Sequence, residues 1–119
     1  YESILNACAY NTNCGPEEKM AAFRVAVATL KEVQGSTYVQ PTERMYGLFL
    51  RACGNLMPSS RKRDEVVESV FAKCCDAGFT SDYVLQQFEM AASKSLQLEV
   101  LGGFVSDGIE PPSEWQSSL

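Results

Sequence analysis

Tyr46-Gly-Leu-Phe-Leu-Arg-Ala-Cys-Gly54, set beneath Tyr1-Glu-Ser-Ile-Leu-Asn-Ala-Cys-Ala9, coincides with it at Tyr, Leu, Ala and Cys, and Ile4 faces Phe49. A fainter third copy is Leu85-Gln-Gln-Phe-Glu-Met-Ala-Ala-Ser93, in which Phe88, Ala91 and Ala92 fall on Phe49, Ala52 and Cys53. Self-similarity at a spacing of about 40 residues is the mark of a repeat architecture, in which each unit buries its apolar face against the next.

Each copy leads into a second segment with apolar residues at the i, i+3, i+4, i+7 spacing of one helix face. The first runs from Glu17 to Val33, with Ala22, Phe23, Ala26, Val27 and Leu30 on its stripe; the second runs from Asp64 to Ala77, with Val66, Val67, Val70, Phe71 and Cys74. Pro16 followed by Glu17 and Glu18 suits a first helical turn, where acidic groups meet the positive end of the dipole. Thr42, and Thr80 or Ser81, offer hydroxyl caps, and Gly35, Gly54 and Gly78 stand where a left-handed residue would end a helix. No segment alternates as a strand does. The pattern predicts helices at about 1–10, 17–34, 42–54, 62–77 and 81–93, with a short sixth near 95–101. They pair into hairpins over 1–34, 42–77 and a partial 81–101. Residues 102–119 form a non-helical tail, because Gly102-Gly103, Asp107-Gly108 and Pro111-Pro112 interrupt it while Phe104, Val105, Ile109 and Trp115 are too apolar for a solvated end. The tail reads as a strap over the open end of the stack, or as a docking peptide built on Trp115.

Paired helices that open on Tyr-x-x-(Ile/Phe)-Leu-x-Ala-Cys and close on a Gly before a Pro-Thr or Ser-Asp step resemble pentatricopeptide repeats, most closely the divergent, insertion-bearing algal type. The resemblance covers about residues 1–93 and is closest from Tyr46 to Gly78. The early Trp-x-x-Leu-Gly of tetratricopeptide repeats is absent. The first unit departs from the pattern, with inserts around Asn11 to Gly15 and Gly35 to Val39. The resemblance implies an all-α, right-handed α-α superhelix, non-catalytic, in a mitochondrion or plastid. It also implies single-stranded RNA read one base per unit, by the residue after the first tyrosine and by the last residue of the unit. On this chain the former are Glu2, Gly47 and Gln86, and the latter Thr42 and then Ser81 or Asp82. Glu2 repels phosphates and Gly47 has no side chain with which to bond a base edge, where the family prefers Asn, Thr or Ser.

The charge distribution sharpens this. Lys and Arg number 10 against 15 Asp and Glu, a net −5 that disfavours gripping DNA by neutralising phosphates. The positive groups cluster: residues 44–63 hold Arg44, Arg51, Arg61, Lys62 and Arg63 and no acid, whereas residues 64–119 hold ten acids and two bases. That basic band is the natural place for a partner, with Arg51, the counterpart of Asn6 in the first unit, extending over the space that Gly47 leaves open.

Chemistry is poorly supplied. There is no histidine, which removes Ser-His-Asp and Cys-His nucleophiles and the commonest zinc ligand. The five cysteines are odd in number with no C-x-x-C, so neither a disulfide framework nor a zinc ribbon is expected, and a reducing compartment inside the cell fits best. Glu17-Glu18 and Asp64-Glu65 are first-turn acids rather than a catalytic pair. No apolar run reaches the roughly 18 residues of a membrane span. The reading is therefore a binding module with no catalytic, metal or cofactor site. It is expected to serve as an accessory or scaffold subunit of a larger assembly through protein contacts, or else to bind single-stranded RNA through Asn6, Gly47, Arg51 and Gln86.

Overall fold

Among the described residues six helices form where the apolar spacing places them. In the computed structural model, which describes residues 1–10 and 15–119, α1 is Glu2–Ala9, α2 Pro16–Gly35, α3 Glu43–Leu56, α4 Arg61–Ala77, α5 Asp82–Ala91 and α6 Lys94–Leu101. Among the described residues there is no strand, and no helix is long and apolar enough to cross a membrane. The insert at 11–14, with Cys14, lies outside the described residues.

Caps set the starts. The hydroxyls of Thr42, Ser60, Ser81 and Ser93 accept from the amides of Met45, Arg63, Val84 and Leu96, each satisfying a donor that the first turn leaves unpaired. Of the three glycines expected as stops, only Gly78 acts as one. It sits at φ +80°, its amide donates to the Cys75 carbonyl and that of Phe79 to the Cys74 carbonyl, a Schellman closure. Gly35 is instead the last residue of α2, and Gly54 lies inside α3, which runs on to Leu56. Gly54 is small for packing: a Cβ there would stand 3.0 Å from Met90 and 3.4 Å from the Ala91 backbone of α5.

The quoted stretch becomes the hub. Within α3, Tyr46 to Leu50, Ala52 and Cys53 are buried, and α3 packs on α1, α2, α4 and α5. The first helices α1, α3 and α5 lie side by side, while α2 and α4 each pack against α3. The shortest dimension of the molecule, 19 Å, is about the thickness of two helix layers.

Residues 102–119 carry two 3-10 turns, Val105–Asp107 on α5 and Ser113–Gln116 on α4. Trp115 stands edge-on to Phe71 at 5.8 Å, and Phe71 stacks on Phe88 at 4.0 Å, so one aromatic column joins tail, α4 and α5. The tail is also bonded to the α4–α5 turn: the Thr80 amide donates to the Trp115 carbonyl, the Ser118 amide to Gly78, and the Gln116 side chain to the Thr80 carbonyl. Trp115 thus packs, half-buried, against the chain's own core.

Candidate functional site

The residues expected to read a ligand fall along α1, α3 and the start of α5. Glu2, in the first turn of α1, pairs with Arg44 of α3 at 2.8 Å. The Arg44 guanidinium lies 5.6 Å from the centre of the Tyr83 ring, and that ring covers Gly47: a Cβ on Gly47 would come within overlap of its edge. The space over the glycine is therefore filled by Tyr83 and not open to Arg51, because the missing side chain lets α5 bring its aromatic against the α3 backbone.

Arg51 goes elsewhere. Its guanidinium sits 4.7 Å over the Tyr10 ring at the end of α1 and donates to Gln87 at 3.2 Å, while its Nε is buried without a partner. Gln87 rather than the exposed Gln86 is the residue of α5 that meets Arg51. Asn6 is exposed on α1, and the Thr42 hydroxyl is occupied in capping α3. Ser81 caps α5 in the same way and Asp82 stands exposed beside it. Burial raises the Tyr83 phenol above its ordinary value, an effect that Arg44 partly offsets. Two arginine–tyrosine stacks thus line this face, Arg44 on Tyr83 and Arg51 on Tyr10. Neither tyrosine stood out in the sequence; the signal was an aromatic at the start of α5 in register with a mid-helix glycine.

The basic band does not survive as one surface. Arg63 turns back over α3, donating to the carbonyls of Gly54 at 3.3 Å and Met57 at 3.1 Å, and so satisfies the acceptors that the helix end leaves free. Arg61 is exposed, 3.7 Å from Glu65 one turn on. Lys62 lines a cleft beside α2 together with Met20, Phe23 and Met57. Contiguity in sequence across a helix start sends successive side chains about 100° apart, so the cluster divides.

The thiols are built for packing. Cys8, Cys53, Cys74 and Cys75 are free and buried, and burial pushes Cys53 and Cys74 up to about 12 and Cys75 up to about 11. Cys75, unlike Cys74, lines a cleft shared with Phe71, Val100 and Trp115, and the Thr80 hydroxyl donates to its sulfur at 3.2 Å. The carboxylate of Asp64 accepts from the amide and hydroxyl of Ser93, tying the start of α4 to the cap of α6. Among the described residues no group of three or more Cys, Asp or Glu is placed to hold a metal ion.

Set against protein-family models, curated proteins and solved structures, the chain matches none.

Proposed function

We propose that the chain is a non-catalytic helical-hairpin repeat module of pentatricopeptide type, a right-handed α-α superhelix, serving through protein contacts as an accessory or scaffold subunit of a larger, organellar assembly. The side-by-side layer of α1, α3 and α5 with α2 and α4 behind it supports the repeat reading, as does the burial of Cys8 and Cys53 at one repeat position. The observation that carries the choice of a protein partner is the fate of the cations. Arg44 is engaged by Glu2, Arg51 by Tyr10 and Gln87, and Arg63 by the end of α3, which leaves the first-helix face little free positive charge for phosphates. The non-catalytic part rests on the lack of histidine and on the Cys53 and Cys74 thiols, which burial holds far above the range of a reactive thiolate.

RNA is the second reading, favoured by the two arginine–tyrosine stacks, since aromatic and guanidinium planes are what unpaired bases stack on. Titration of labelled single-stranded RNA at low and high salt separates the two. The protein reading expects no binding tighter than about 10 μM; tighter, salt-sensitive binding that Arg51→Glu abolishes would establish RNA instead.

A further inference from the structure

The second-helix layer is open. Between α2 and α4 lies a cleft of about 340 Å³ walled by Phe23, Val27 and Leu30 on one side and Val66 and Val70 on the other, with Phe49 at its floor. A second cleft of about 560 Å³ follows the same side of α2 past Met20 to Met57 and Pro58, and Phe23, Val27 and Lys31 line both. Phe23, Val27 and Leu30 stand at i, i+4 and i+7, as do Val66, Val70 and Lys73 on α4, so two ridges flank an apolar furrow of the kind that takes a third helix's ridge. From Met20 to Gln34 the furrow follows α2 for about 21 Å, or four turns of a partner helix.

Its charge names the occupant. On a chain of net −5, the clefts are lined by Arg24, Lys31, Lys62 and Lys73, and by one carboxylate, Glu65, which Arg61 accompanies. Among the described residues none of those four cations has a carboxylate within ion-pair distance. We infer that the α2–α4 furrow receives an amphipathic helix of a partner protein, its apolar stripe at i, i+4, i+7 and i+11 seated over Phe49 and its flanks carrying Asp or Glu against Lys31 and Lys73. This rests on the protein-docking reading and names the partner's chemistry: a helix-in-groove contact, with the apolar stripe giving affinity and the acidic flanks giving orientation.

The test uses two labelled helical peptides of about 16 residues, Leu at the four stripe positions, flanked by Glu in one and by Lys in the other, titrated by fluorescence anisotropy. The Glu peptide is expected to bind at least about ten-fold more tightly, weakening several-fold between about 50 and 300 mM salt. Lys31→Glu with Lys73→Glu, both exposed positions that leave the core intact, is expected to reverse the preference, and Val27→Asp to abolish binding. Equal binding of the two peptides, no binding of either below about 1 mM, or a preference unmoved by the charge reversal overturns the proposal. So does displacement of the Glu peptide by phosphatidylserine vesicles, which would mark a lipid surface, or by self-association of the chain, which would mark a second copy. If the peptides fail while the native chain still travels in a large RNase-resistant complex, the furrow assignment falls and the scaffold reading stands.

Discussion

Gly47 and Gly78 are small for different reasons, and substitution separates them. At Gly78 the chain needs φ +80°, and a Cβ would also meet the Ser117 hydroxyl at 2.5 Å and the Ser118 amide at 2.8 Å. Gly78→Ala is therefore expected to cost roughly 1–3 kcal/mol in chemical denaturation and to loosen the strap, since strain and overlap act together. At Gly47 the backbone is ordinary helix and the obstacle is the movable edge of the Tyr83 ring. Gly47→Ala gains about 1 kcal/mol of helix propensity and loses ring packing, so its expected net effect is within about 1 kcal/mol, with Tyr83 displaced. A loss above about 3 kcal/mol would show that the ring cannot move aside. With Tyr83 swung out toward water, its phenol is expected to titrate closer to its ordinary value, because the burial that raised it is removed. At this scale the sequence was least informative: Arg51, Gly47 and Glu2 were legible as a group on one face, but not their partners Tyr10, Tyr83 and Arg44. Those pairings depend on how closely α1 and α5 approach α3, which no single segment encodes.

Among the elements, helix existence was legible because the apolar residues recur at helical spacing and cap hydroxyls stand before α3 and α5. Thr42→Ala and Ser81→Ala are each expected to cost about 1 kcal/mol. The helix ends were less legible: Gly54 looks like a stop, yet α3 passes through it because α5 needs a small residue there. The tail is where sequence offered two readings; Trp115 packs edge-on to Phe71 and lines a cleft together with Cys75. Trp115→Ala is expected to cost about 2–3 kcal/mol, below the full value for an enclosed aromatic since the ring is only half-buried. The same change should make Cys75 the most accelerated of the four described thiols in alkylation mapped by mass spectrometry. Equal labelling of Cys75 in wild type and variant would show that the strap does not cover it.

For the whole molecule, the buried thiols give stability a definite pH dependence. Cys53, Cys74 and Cys75 ionise at about 12, 12 and 11 when folded and near 9.0 when exposed, so the unfolded chain releases protons first. Their contribution is complete below pH 9 and is lost as pH rises from there toward 11–12, on the order of 1 kcal/mol per thiol per pH unit. Urea midpoints measured from pH 8 to 11 should fall steeply; a flat profile would contradict the burial of these thiols. The charge pattern was legible as an asymmetry, but the band at 44–63 divides because its members straddle the turn from α3 into α4, and Lys62 alone of them joins Arg24, Lys31 and Lys73 beside the apolar furrow along α2. That furrow escaped the sequence because Phe23 and Val27 sit on the same stripe as Ala26 and Leu30; periodicity marks a face as apolar without saying which residues α3 leaves uncovered. The central claim, a subunit that works through protein contacts, is tested most directly by the native size of the chain in extracts of the cells that make it, with and without RNase. The account predicts migration far above the free chain in both samples; collapse to the free chain on RNase treatment, or free migration in both, would contradict it.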